Sequence, residues 1–128
     1  MPDLLTQAST WLNDQRHTHL TRPVTYQRGQ ASVELPATIG QTVFRLEDGY
    51  GQVTRTVSRD YLIRAEDLQL DGEATLPKRG DVIRETDHGT THVHEVMAPD
   101  SREPNWRYSD PQRTTLRIHT KQIGVESP

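Results

Sequence analysis

From residue 31 to residue 39 the chain alternates without a break. Ala31, Val33, Leu35, Ala37 and Ile39 fall on one side, and Ser32, Glu34, Pro36 and Thr38 on the other. Successive side chains of a β-strand point to opposite faces, so this run predicts a half-buried strand. The same period recurs elsewhere. Leu20, Val24 and Tyr26 share one side of "HLTRPVTYQ", where Pro23 points to an edge strand because proline removes a ladder donor. "TVFRL" and "QVTRTV" flank "EDGYG", an Asp-Gly hairpin signal with Tyr50 at its tip. "RDYLIRAEDL" reads as a more fully buried strand, and "DVIRE" and "THVHEVM" pair around "TDHG". "PDSREPNWRYSDPQR" reads as a long irregular loop, after which "TTLRIHT" places Leu116 and Ile118 on one face of a last strand.

The start of the chain follows a different period. Leu4, Leu5, Ala8, Trp11 and Leu12 recur at i, i+1, i+4, i+7 and i+8, the stripe of an amphipathic helix, with Pro2 and Asp3 as its start. The pattern as a whole predicts a mainly β protein: a small antiparallel β-barrel or sandwich of about seven strands with one N-terminal α-helix. It predicts a single domain over residues 1–128, with the helix at 3–16, the barrel at 19–120 and a C-terminal tail at 121–128.

Composition sharpens this picture. Apolar residues make up 31% of the 128 residues, a low share for a globular chain, so the core is thin and the loops long and polar. Such a chain often completes its burial against a partner. With no cysteine there is no disulfide framework and no thiolate chemistry. No apolar run is long enough for a membrane span or a signal-peptide core, and a net charge of -3 argues against a dedicated nucleic-acid binder. Of the 15 basic residues, 13 are arginines. Arginine is favoured at bidentate and interface contacts, although GC-rich coding gives the same bias.

Two motifs lie close together in "KRGDVIRETDHGTTHVHEV". Arg79-Gly80-Asp81 spells an adhesion tripeptide, but Gly and Asp are also what a tight turn into a strand requires. The turn reading is preferred. His92 and His94 are two apart on a strand and so face one way, as at the start of a β-barrel metal site; Glu95 faces the other way. A metal site also needs ligands from a second strand. His119 is the nearest candidate, since His17 and His19 straddle the helix exit and His88 lies in a turn. Half-buried histidines on a sheet face are the simpler explanation, and neither metal nor cofactor is expected. There is no G-x-S-x-G elbow and no glycine-rich phosphate loop, and the acidic residues are dispersed, so nothing makes a case for an enzyme. Two alternatives are a cupin-like metal-dependent enzyme using His92 and His94 and a generic ligand-binding barrel.

The order "SRDYLIRAEDL", "LPKRGDVIRE", the glycine-turn hairpin "TDHGTTHVHEVM", "NWRYSD" and "LRIHT", over roughly residues 40–120, resembles the small β-barrel head–tail joining proteins of long-tailed phages. These are also called head-closure or stopper proteins and include the lambda-type joining protein. In similar proteins the strand after the glycine turn alternates aromatic or aliphatic residues, where this chain has His92 and His94. The resemblance implies a structural virion protein of the head–tail neck. It implies a homo-oligomeric ring with a portal or adaptor ring above it and a tail terminator or tail tube below, in non-specific contact with packaged DNA. Host cytoplasm is the implied location during assembly. Asp48, Tyr50, Arg55, Arg59, Trp106, Arg107 and Tyr108 are the expected contact residues, since exposed Trp, Tyr and Arg are the usual interface anchors. For Trp106 and Tyr108 a second reading stands beside this one, that they pin the long loop to the barrel. The arginines of "QVTRTVSR" either line a DNA channel or form ion pairs between subunits.

Overall fold

A computed structural model describes residues 21–47, 49–100 and 102–127. The helix expected at 3–16, and Asp48, lie outside the described residues. The described chain is antiparallel β-sheet. Strands β1 (Thr21–Arg28), β2 (Ala31–Glu47) and β3 (Val53–Arg64) form a meander. A 3-10 turn (Ala65–Asp67) and the two-residue strands β4 (Gln69–Leu70) and β5 (Glu73–Ala74) lead to the hairpin β6 (Val82–Asp87) and β7 (Thr90–Val96). β8 (Trp106–Tyr108) and β9 (Thr115–Glu126) complete the fold.

β9 closes the sheet into a barrel. Its first half, Thr115–Thr120, pairs with β3, and its second half, Thr120–Glu126, pairs with β7. Thr120 is the handover point: it lies opposite both Arg59 and Val96 and donates its hydroxyl to the Arg59 carbonyl at 2.6 Å. A register shift between Val93 and His94 lets the β7–β9 ladder bend. The cyclic order is therefore β1-β2-β3-β9-β7-β6. Tyr26, Tyr61, Ile63, Ile83, Leu116 and Ile118 fill the interior with no exposed surface. Burying each such side chain contributes about 1.5–3 kcal/mol.

β3 and β6 stand on opposite sides of this cycle, so residues 65–81 have to cross the barrel end. Leu68 and Leu70 from this crossing plug the core. Arg28 clamps the crossing to β1 by donating to the Thr75 hydroxyl at 2.9 Å and the Leu76 carbonyl at 2.7 Å.

The structure refines three sequence expectations. β1 is not an edge strand, since β2 and β6 flank it; Pro23 is tolerated because β6 meets only Thr25–Gln27 and because Pro23 faces Pro36, a pairing suited to a non-hydrogen-bonded position. The stretch 99–113 is not wholly irregular, because β8 pairs with β9. The expected tail 121–128 is strand through Glu126.

The adhesion-like tripeptide is resolved as turn and seal. Gly80 has φ +95°, which glycine adopts without strain. Asp81 is buried, takes two hydrogen bonds from Arg28 at 2.9 and 2.8 Å, accepts from Tyr26, and accepts the Lys78 amide at 2.9 Å. Arg79 is exposed. Asp81→Ala leaves Arg28 and Tyr26 without their acceptor and should destabilise the chain by about 2–4 kcal/mol, whereas Arg79→Ala should change stability by less than about 0.5 kcal/mol. Urea unfolding of the two variants checks this, and equal effects would contradict the account.

Candidate functional site: a projecting hairpin above a sealed barrel mouth

β2 is 17 residues long and outruns its neighbour. Its first half pairs with β1 as far as Thr38, and from there to Glu47 its described partner is β3. β3 in turn meets β9 only from Arg59 onward. The two-stranded stretch 41–58 therefore leaves β1 and β9 as an arm roughly 20 Å long, at the usual strand rise. Tyr50, at its tip, is 95% exposed.

The two faces of this arm differ. Phe44 is buried and meets the His119 ring edge-on with centroids 5.1 Å apart, so one face leans on the barrel wall. A cleft of about 500 Å³ runs from the base of the arm, at Leu46, Thr56 and Val57, past Arg59 and His94 to Met97, Pro99 and Lys121. The other face presents the directly opposed pair Val43–Val57, with Val53 and the opposed pair Arg45–Arg55.

Beneath the arm, two buried polar clusters fix its base. Inside the mouth, Glu85 accepts from Arg59 at 2.7 and 2.9 Å, Arg22 at 2.7 Å and the Tyr61 hydroxyl at 2.7 Å. Burial pushes its carboxyl up, but these bonds outweigh it and hold Glu85 below its ordinary range. Tyr61 also lies 3.0 Å from Nδ1 of buried His94. Burial, and then the Arg59 charge, push His94 down to about 4. On the outer wall, Asp60 has no exposed surface and accepts from Arg117 at 2.7 Å, Ser58 at 2.6 Å and Thr42, with His119 Nδ1 at 2.9 Å. Burial raises Asp60 too, yet these partners hold it at about 2. Gly40, opposite Asp60, makes room for this: a Cβ there would sit 3.1 Å from Leu62 and 3.3 Å from the Arg117 guanidinium.

The expected contact residues separate on this geometry. Tyr50 and Arg55 stand on the projecting arm. Arg59 is turned to Glu85 and to the Tyr61 ring, 5.7 Å from its centroid. Trp106 and Tyr108 stack edge-on at 5.1 Å and pack against the core, while Arg107 between them is exposed. Asp48 lies outside the described residues. His92 and His94 do not converge with His119, which is held by Asp60; His92 instead meets Gln122 at 3.4 Å. Among the described residues, no group of three or more His, Asp or Glu is arranged to hold a metal ion. No helix among them is long and apolar enough to cross a membrane.

The Asp60 and Glu85 clusters were not legible in the sequence. Their partners lie up to 63 residues apart and carry no spacing signal. The arginine bias was the one hint, and four of the 13 arginines, Arg22, Arg28, Arg59 and Arg117, clamp buried carboxylates.

A barrel with an arm admits many roles, and the comparison with known families decides among them. The family model described as phage head-tail joining protein matches residues 2–127. The chain belongs to the phage head–tail joining protein family. No curated protein sequence matches it. The joining-protein family is structural, so the chain is a virion component with a connector role that engages head and tail components. A structural role suits a site made of a projecting arm and locked polar clusters.

The locked clusters give a pH signature. Above pH 6.5 His94 is neutral folded and unfolded and contributes nothing; as pH falls toward about 4, the unfolded chain takes up a proton that the folded one resists. Stability should therefore fall over that window by at most about 3 kcal/mol. Asp81 and Glu85 have lowered carboxyls, so their contributions are lost only below the ordinary carboxylate values of 3.8 and 4.5. Denaturation from pH 7 to 5 should show the decline in the native chain and a flatter curve for His94→Gln. Parallel curves would contradict the assignment.

Proposed function

We propose that the chain is a head-closure subunit of the neck. In this reading it assembles as a ring beneath the portal or adaptor, closes the DNA-filled capsid and offers the docking face for a tail terminator or tail tube. It is held in the host cytoplasm until assembly. The observation that carries this is the arm, a two-stranded extension with a 95% exposed tyrosine at its tip. Tyr has a large contact area and few rotatable bonds, which makes it a frequent interface anchor.

The filled interior supports the ring part of the reading. Tyr26, Arg28 and Asp81 seal one end of the barrel, and Arg22, Arg59, Tyr61 and Glu85 the other. A single subunit thus offers no passage, and a conduit for DNA has to run between subunits, where contact with packaged DNA is non-specific. Arg107 and Arg55 are the exposed arginines assigned to neighbours. Trp106 and Tyr108 act through the barrel wall.

Tyr50→Ala should leave unfolding stability within about 0.5 kcal/mol of the native chain, as expected for an exposed side chain. The same substitution should lower the yield of joined particles from a complemented phage lacking the gene. Full heads and free tails accumulating side by side is the expected picture by electron microscopy. Normal particle yield would remove Tyr50 from the docking face.

A further inference from the structure

The open face of the arm carries an arrangement that one copy of the chain does not satisfy. Arg45 and Arg55 oppose one another directly in the β2–β3 register. Like charges in direct cross-strand register destabilise a sheet. Both are exposed, and neither forms an ion pair with a carboxylate among the described residues, including Glu47 on the same face. Beside them Val43, Val53 and Val57 are 56%, 43% and 55% exposed. The face therefore lacks two things: carboxylates for the arginine pair and apolar cover for the valines.

Both are present at the opposite end of the molecule. The barrel crossing, residues 65–77, contains Glu66, Asp67, Asp71 and Glu73 and no basic residue. Glu66, Asp71 and Glu73 are exposed, Glu66 lying 3.7 Å from the Arg64 guanidinium, and Leu76 in the same segment is 46% exposed. Arg28 holds this segment to the barrel end, so its shape is fixed before any partner arrives. β3 runs from the arm to the start of this crossing, and its nine steps from Arg55 to Arg64 span roughly 30 Å at the rise of a strand. Within one copy Arg55 and the crossing do not meet.

We propose that the arm face of one copy packs against the acidic 65–77 segment of the next. Arg45 and Arg55 meet the carboxylates, and Val43, Val53 and Val57 cover Leu76. A contact between two different patches is head-to-tail, and it generates a ring when the rotation closes. DNA phosphates would satisfy the arginines but leave three valines in water, so a protein surface is the better match. This inference rests on the ring reading above and assigns its interface.

Because the chain has no cysteine, introduced thiols are unique. Particles carrying Val57→Cys and Leu76→Cys in one chain are purified and treated with a short bis-maleimide. A ladder of linked copies of this chain is expected, absent from either single substitution. Monomer alone, with the doubly substituted chain present in the particles, overturns the inference. An unsubstituted chain missing from particles would instead sink the connector reading. If only the cysteine chain fails to enter particles, charge exchange decides. Arg45→Glu with Arg55→Glu should abolish particle yield, and adding Glu66→Arg with Glu73→Arg should restore it. A loss that the second pair does not relieve overturns the inference and is the outcome that DNA contact predicts.

Discussion

The architecture hangs on closure of the sheet by β9. One strand serves two partners in succession, β3 up to Thr120 and β7 from Thr120 on. Without the handover the sheet would be an open, strongly curled wall with two long unpaired edges, a template for indiscriminate pairing. With it, the edges left in the described barrel lie mainly on the arm and along the second half of β9. The handover also fixes where β3 stops meeting β9, and so where the arm begins.

Charge locks both ends of the closed barrel. A thin apolar core leaves the interior short of filling, and each end is completed by the same grouping of tyrosine, carboxylate and arginine. Buried carboxylates are costly unless paired and hydrogen-bonded. Here each of Asp60, Asp81 and Glu85 accepts from several donors, and among the described residues no buried side-chain polar atom lacks a partner. Such clusters define one geometry more than they add stability, which suits the proposed role of a subunit presenting an arm. Arg59 and Asp60 show the economy of the arrangement: adjacent residues of β3 point to opposite faces and anchor the inner and the outer cluster.

Much of the strand order was legible because the period-two signal is strong where one face is buried. Ala31–Ile39, the β2–β3 pairing and the glycine-turn hairpin around "TDHG" all form as the alternation indicates. The turn role of Gly80 and Asp81 was legible as well, though not the burial of Asp81 against Arg28, which is 53 residues away. β8 escaped notice because three residues give too short a period to register between prolines and acids. The second half of β9 escaped because Gly124 and the bulge opposite Val93 and His94 break the alternation. His92 and His94 illustrate the limit most clearly. Their shared face follows from spacing, but what each meets, Gln122 or Tyr61, is decided by strands distant in sequence.

In the proposed reading the barrel is a scaffold and the arm does the joining. Thr42 and Ser58 are directly opposed in the β2–β3 register, so the arm beyond them can be replaced by a two-residue Asn-Gly turn with the flanking pair intact. The decisive measurement is particle assembly by this shortened chain, alongside its own unfolding curve. A chain that unfolds cooperatively but leaves full heads and tails unjoined is the predicted result. Joined, infectious particles at normal yield would contradict it.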